Sequence, residues 1–159
     1  MQAESLATSD EREFLAWLAA NGASFDKILW PAATALGRGT IALQDFEPGE
    51  SFVQIPARIM MSPPHAQALP DIGHVFRTEK ALLRNDNGLA VFIMHDMLLG
   101  EASFYYPYLR ILPKPHTVED WAAEDIAHLQ DAQLASRAQY RLRQLRNLWD
   151  RTIGGLSDR

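Results

Sequence analysis

The sequence changes character near residue 78, and this change limits the folds that the chain can adopt. Before residue 78, short apolar segments alternate with turn residues such as glycine, proline and aspartate, which is typical of strands in a small sheet. After it, apolar residues recur with the spacing of one helical face as far as about residue 150. A strand-rich front followed by a helical back predicts an α+β fold.

The front of the chain predicts one helix followed by strands. Thr8 and Glu11 have the spacing of a capping box, so a helix is expected to begin after Thr8. The segments with strand composition are 28–30, 40–42, 51–55 and 59–61. A turn is predicted at 47–50, and Ser62 followed by Pro63 predicts the start of a short helix.

The back of the chain predicts a succession of helices. These are expected at 88–99, around 104–112, from Thr117 with Asp120 in its cap, and at 131–150. The last helix carries an apolar stripe formed by Leu134, Ala138, Leu142, Leu145, Leu148 and Trp149. Such a stripe needs a partner. Either the helix folds back onto the earlier helices, or a second copy or another protein covers residues 134–149.

Length, charge and composition limit the class of protein. A chain of 159 residues with 47% apolar residues is long enough for one packed domain. The net charge of −5 argues against nucleic-acid binding, although the last predicted helix carries several arginines. No apolar segment has the length of a membrane span, and residues 1–10 lack the apolar core of a secretory signal. We therefore expect a soluble intracellular protein, assigned to the cytoplasm with nucleus and organelles left open.

The chain offers few groups for acid–base or metal chemistry. It has no cysteine, which rules out a thiolate nucleophile and a cysteine zinc site. Its five histidines are scattered, and no metal site is predicted. His95 and Asp96 are adjacent on a predicted helix, where neighbouring side chains point about 100° apart. We expect them not to face each other, and His95 to lie at the surface.

Gly37-Arg38-Gly39 lies between two predicted strands and is a candidate ligand loop. Glycine lets backbone groups approach a ligand because no Cβ intervenes. The pattern is not a dinucleotide fingerprint, since no third glycine and no helix follow it. It is not a phosphate loop either, because glycine-lysine-serine or -threonine does not occur. By itself, a Gly-x-Gly of this kind is most often an ordinary turn.

A second, more specific segment reads Ser-Phe-Tyr-Tyr-Pro-Tyr-Leu at 103–109, with Leu-Pro at 112–113. Pro107 is expected to begin a short helix, and Tyr108 and Leu109 to pack against the helix before it. In order and spacing, the two segments resemble the first half of a SET-domain methyltransferase of the Rubisco large-subunit methyltransferase type. The resemblance extends from Phe14 to about Trp149. Members of that family methylate lysine, or in one branch histidine, in non-histone proteins.

The resemblance implies the layout of the chain and its cofactor site. It divides the chain into an N-terminal helix at 1–24, SET strands with the cofactor loop at 25–76, and a helical insertion at 77–159. The implied cofactor is S-adenosylmethionine, contacted at its amino-acid end by the backbone of Leu36, Gly37 and Arg38, with Gly39 allowing the turn. Leu36 replaces the acidic residue usual in the family. Arg38 is either a solvated loop residue or a direct contact.

The catalytic end of the family is missing from the sequence. Its asparagine-histidine motif, which pins the cofactor, does not occur. Its late tyrosine, which orients the amine, has no counterpart either, because the tyrosines of this chain all lie too early. No catalytic residue is therefore predicted, and the domain is expected to be truncated. The chain is either a protein-lysine methyltransferase acting on a protein substrate or an inactive N-terminal fragment of one. The alternative is a non-catalytic interaction module.

Overall fold

The computed structural model of the protein describes residues 4–83, 87–114, 117–118 and 121–152. The helices are α1 (Ser9–Ala20), α2 (Pro63–Ala68), α3 (Gly73–Thr78), α4 (Asn87–Leu99), α5 (Tyr106–Leu109), α6 (Ala123–Ala127) and α7 (Ala132–Thr152). The strands are β1 (Ile28–Thr34) and β2 (Gly37–Ala42). Short 3₁₀ turns lie at Ala57–Ile59, Lys80–Leu83 and Gly100–Ala102. The predicted α+β class, with a small sheet in front of helices, is confirmed.

The strands β1 and β2 form an antiparallel hairpin, which is the sheet of the described chain. Ile28 lies opposite Ala42 at its open end, and Thr34 lies opposite Gly37 at the turn. The register shifts between Leu29 and Ala32, where one strand bulges. The two-residue turn thus falls at residues 35–36, and the loop identified from the sequence begins at the turn itself.

The predictions of strands at 51–55 and 59–61 are wrong. Gln54 makes one isolated bridge to Ser24, through hydrogen bonds of 2.9 and 2.8 Å, and no ladder continues from it. Residue 59 closes a 3₁₀ turn instead, because its N–H donates to the carbonyl of Pro56 at 3.0 Å. A segment with the composition of a strand does not form one unless a neighbouring strand is available to pair with it. The turn at 47–50 is confirmed by a 2.9 Å hydrogen bond between its end residues.

The helices begin and end largely where local signals place them. The capping box of α1 is confirmed, because Thr8 Oγ1 accepts from the Glu11 N–H at 3.3 Å and the Glu11 carboxylate accepts from the Thr8 N–H at 2.9 Å. The predictions of α2, α4 and α7 are confirmed. The helix expected from Thr117 begins instead at Ala123. Its proposed cap, Asp120, lies outside the described residues.

The core is formed by the helical part and receives α1 from the front. Its buried members are Ala66, Val75, Phe76, Leu82, Phe92, Tyr105 and Leu109. On α1, Trp17 contacts Phe104 with ring centroids 5.3 Å apart, and Phe14 contacts Tyr108 at 5.8 Å. The aromatic segment at 103–109 is therefore the surface that joins α1 to the helices. Its predicted role in packing is confirmed.

The apolar stripe of α7 is only partly covered. Ala138 is buried, whereas Leu134 and Leu145 are exposed. Near the end of the helix, Trp149 lines an apolar cavity of about 210 Å³ together with residues of α3 and α4. The helix therefore folds back onto the earlier helices at Trp149, which still remains 46% exposed. Leu142 and Leu148 are half-buried, so the stripe is left open mainly at Leu134 and Leu145. In the described ranges, no helix is long and apolar enough to cross a membrane.

Candidate functional site

The four residues singled out in the loop lie together at the tip of the hairpin. The side chain of Leu36 is 100% exposed. Gly37 has a φ of +105°, a conformation that other residues rarely adopt, and a Cβ added there would meet no atom within 4 Å. Gly39 is more crowded, because a Cβ there would lie 3.0 Å from Thr34 Cγ2. The tip thus exposes backbone with open space in front of Gly37.

Thr34 holds the shape of this turn, although it was not among the residues predicted from the sequence. Its hydroxyl donates to the Gly37 carbonyl at 2.7 Å and accepts from the Leu36 N–H at 3.3 Å. These bonds hold the backbone between the two strands in one conformation. The sequence does contain a sign of this role, because Thr34 lies two residues before Leu36 at the turn. Threonine hydroxyls in such positions commonly bond to nearby backbone groups.

Arg38 lies back against the body of the protein. Its guanidinium forms an ion pair with Glu11 in the first turn of α1 and donates to the Leu6 carbonyl at 3.4 Å. It also lies over the ring of Trp30, with 6.0 Å between the guanidinium carbon and the ring centroid. The hydrogen bond from Arg38, together with that from the Thr8 N–H, lowers the pKa of Glu11. Arg38 is thus a paired residue rather than a free loop arginine.

An apolar cavity of about 320 Å³ lies apart from the tip, between α1, residues 55–61 and the helices α4 and α5. Its lining is formed by Phe14, Trp17, Leu18, Ile55, Ile59, Met60, Met61, Leu89, Ile93 and Tyr108. The four loop residues do not line it. Because the lining offers few polar groups, this cavity suits apolar groups rather than the charged end of a cofactor.

A second group of polar side chains lies in the helical part. His95 Nε2 is 2.8 Å from Asp71 Oδ2, and its Nδ1 is 3.2 Å from Asp96 Oδ2. The expectation that His95 and Asp96 do not face each other is wrong, and so is the surface position of His95, whose side chain is 15% exposed. The angle between neighbouring helical residues separates their Cβ atoms, but the histidine ring is long enough to turn back to the carboxylate.

The ionisation of this group follows from its contacts. Burial lowers the pKa of His95, but the hydrogen bonds with Asp71 and Asp96 outweigh burial and raise it overall. Asp96 is 4% exposed and accepts a 2.5 Å hydrogen bond from the Ser103 hydroxyl, which itself accepts from the Tyr105 N–H at 3.0 Å. Because Ser103 donates to an aspartate and not to the histidine, it is not an activated nucleophile. The group joins three segments of the fold.

Metal chemistry has no candidate site in the described part of the chain. No group of three or more histidine, aspartate or glutamate side chains there is arranged to hold an ion. His95, Asp71 and Asp96 instead satisfy one another by hydrogen bonds. The exposed backbone of the hairpin tip therefore remains the candidate for ligand binding.

Comparison with known proteins supports the resemblance found in the sequence. No model of a protein family matches the chain. A ribulose-1,5-bisphosphate carboxylase/oxygenase large subunit N-methyltransferase from Nicotiana tabacum, chloroplastic by its name, is 28% identical over 125 residues. The match covers 77% of this chain and 24% of that protein.

Two solved structures share the fold. A Rubisco LSMT bound to sinefungin and monomethyllysine superposes with a TM-score of 0.72 at 23% identity, covering 92% of this chain and 34% of that one. The SET domain of LSMT bound to MeLysine and AdoHcy gives 0.69 at 24% identity, covering 94% and 34%. The chain thus spans about a quarter to a third of the length of these relatives. It is similar in sequence to SET-domain lysine methyltransferases of the Rubisco large-subunit type, and it has the fold of part of one.

Proposed function

We propose that this chain forms the cofactor-binding front of a SET-domain protein-lysine N-methyltransferase. In this proposal, Leu36, Gly37 and Arg38 contact S-adenosylmethionine through their backbone, and Gly39 allows the turn. The observation that carries the proposal is the open, glycine-containing tip of the β1–β2 hairpin. It occurs in a fold shared with structures described as bound to AdoHcy and to methyllysine.

The chemistry of the tip fits the polar end of such a cofactor. That end carries an ammonium and a carboxylate group, which backbone C=O and N–H groups can bind. Close approach requires that no side chain stands in front of the backbone, and a Cβ at Gly37 would occupy the space that is open. Because Leu36 has no carboxylate, the contact we propose is made by backbone groups alone.

In this proposal, the residues of this chain bind S-adenosylmethionine and orient it. When bound, S-adenosylmethionine supplies a methyl group on a sulfonium ion. Thr34 would keep the backbone of Leu36 and Gly37 in the conformation that receives the cofactor, through the bonds of its hydroxyl. Preformed geometry of this kind reduces the entropy that is lost on binding.

The proposed substrate is a lysine in a non-histone protein. The tobacco relative is named as an N-methyltransferase of a protein subunit, the large subunit of ribulose-1,5-bisphosphate carboxylase/oxygenase. Both solved structures are described as bound to a methylated lysine. The 159 residues contain no asparagine-histidine motif and no late tyrosine. We therefore expect this chain alone to bind the cofactor weakly and not to transfer methyl groups. Its location in the cytoplasm stays a prediction.

The test is a calorimetric titration of the chain with S-adenosylmethionine, comparing Gly37→Ala with Gly49→Ala. Both glycines have positive φ, +105° and +87°, and neither has an atom within 4 Å of an added Cβ. The two substitutions therefore impose comparable backbone strain in exposed turns. They differ in that only Gly37 lies in the proposed site.

We expect saturable binding by the wild type and by Gly49→Ala, and an affinity about tenfold lower or worse for Gly37→Ala, which corresponds to about 1.4 kcal/mol. Circular dichroism would establish that all three proteins are folded. The proposal is overturned if the folded wild type binds no cofactor, or if both variants lose affinity equally.

A further inference from the structure

We propose that Glu11 is a positioning residue for the hairpin tip, acting through Arg38. This inference rests on the proposed function, because the tip matters for binding only if the cofactor binds there. Glu11 lies outside the loop and in a different element, the first turn of α1. Its role follows from the way its two carboxylate oxygens are used.

Each oxygen of the Glu11 carboxylate has a partner of its own. Oε2 accepts from the Thr8 N–H at 2.9 Å and completes the capping box. Oε1 forms the ion pair with the Arg38 guanidinium. One side chain therefore both begins α1 and contacts the hairpin. The Glu11 side chain is 13% exposed and that of Arg38 is 43% exposed, so water reaches the pair from the side of the arginine. The role of the pair is therefore to fix geometry more than to add stability.

The hairpin is connected to α1 through both of its strands. In β1, the ring of Trp30 meets Phe14 edge-on, with centroids 6.2 Å apart. In β2, Arg38 reaches Glu11 and at the same time covers the ring of Trp30. The contact between Trp30 and Phe14 keeps β1 near α1. The ion pair between Arg38 and Glu11 limits the movement of β2 and of the hairpin tip at residues 36–39.

The same contacts decide the role of Arg38. Its guanidinium is occupied by the Glu11 carboxylate, by the Leu6 carbonyl and by the face of Trp30. These partners lie in α1, in the segment before it and in β1, so they draw the side chain toward the body of the protein. Arg38 therefore offers its backbone to the cofactor, while its side chain holds the tip against α1.

The decisive variant is Glu11→Gln. Glutamine is also found in capping boxes at this position, so its single carbonyl oxygen can keep the bond with Thr8. Its amide then faces Arg38 as a donor, and the ion pair is lost. The matched control is Glu13→Gln on the same helix, which removes the same charge. Glu13 pairs at 2.5 Å with Arg110, after α5, and not with the hairpin.

The first measurement is amide hydrogen exchange of residues 36–39 in the free proteins. It does not depend on cofactor. We expect these amides to exchange about threefold faster or more in Glu11→Gln than in Glu13→Gln, because local opening of the tip costs less free energy. Equal exchange in the two variants would overturn the inference, whether or not the wild type binds S-adenosylmethionine.

The second measurement is the affinity for S-adenosylmethionine, with Arg38→Gln as a further variant. We expect Glu11→Gln to weaken binding about fivefold and Arg38→Gln to weaken it at least as much, since it also removes the contacts with Leu6 and Trp30. The double variant should bind no more weakly than Arg38→Gln, because residue 11 then has no charged partner left on the hairpin. If Arg38→Gln weakens binding and Glu11→Gln does not, the effect of Arg38 does not depend on Glu11 and the inference is wrong. If the wild type does not bind while the exchange result holds, only the proposed function fails.

Discussion

His95 Nε2 lies 2.8 Å from Asp71 Oδ2, across 24 positions of the sequence. This contact joins α4 to the segment in front of α3. The other ring nitrogen faces Asp96 at 3.2 Å. A neutral imidazole has one N–H and can donate to only one of these carboxylates, whereas the protonated ring donates to both. The protonated form therefore suits this position.

Stability should depend on pH through this contact. The pKa of His95 is raised above its ordinary value of 6.5, so its contribution is fully present below that value and is lost as pH rises through the raised pKa. The pKa of Asp71 is lowered from 3.8, first by the Ile72 N–H and then by His95. Its contribution is present above 3.8 and is lost as pH falls through the lowered pKa.

We therefore expect the contact to stabilise the protein most between about pH 4 and about pH 6.5. Urea unfolding of the wild type and of His95→Gln would measure this, since glutamine keeps a polar side chain that does not titrate. The wild type should be the more stable protein at about pH 5.5, and the difference should shrink by about pH 9. A difference that is the same at both pH values would contradict the assigned ionisation.

Ser103→Ala should destabilise the protein by about 1–3 kcal/mol, because Asp96 would lose the 2.5 Å hydrogen bond that satisfies one of its buried oxygens. The control is Ser51→Ala. The Ser51 hydroxyl donates to the Val53 carbonyl at 3.2 Å in an exposed loop, and its removal should change the free energy of unfolding by less than about 0.5 kcal/mol. Urea denaturation of both variants checks the prediction, and equal effects would show that Asp96 does not depend on Ser103.

Gly88→Ala should destabilise the protein although it adds a better helix former to α4. In a helix interior, propensity alone would predict a gain of about 1 kcal/mol, and the gain is smaller at Gly88 because it is the second residue of α4. An added Cβ, however, would lie 2.5 Å from the Leu82 carbonyl oxygen, and a backbone atom cannot easily move away. We expect a net loss of about 1–3 kcal/mol from overpacking.

Ala90→Gly is the matched control for that variant, because Ala90 is an exposed position of the same helix. It should cost about 1 kcal/mol through helix propensity alone. Thermal or urea unfolding of both proteins decides between the two effects. If Gly88→Ala proves more stable than the wild type, the close approach of α4 to Leu82 is not as tight as the structure has it.

Interactions between near neighbours in the chain could be predicted well. The capping box of Thr8 and Glu11, the turn at 47–50 and the helix α4 depend on hydrogen bonds over three or four residues, so their residue types are visible in a short window. The resemblance to SET-domain methyltransferases also came from two short segments. The strands expected at 51–55 and 59–61 failed because a strand requires a partner, and composition carries no information about one.

The features of the candidate site also fall into two groups, those that follow from local sequence and those that depend on tertiary contacts. The sequence by itself determined the glycine-containing loop, the aromatic segment at 103–109 and the α+β class, since each depends on local pattern. Only the tertiary structure decided that Arg38 pairs with Glu11, 27 positions away, and that His95 lies between Asp71 and Asp96. Such contacts join distant segments that packing of the apolar core brings together. Their charges form pairs only after that packing has removed the side chains from water.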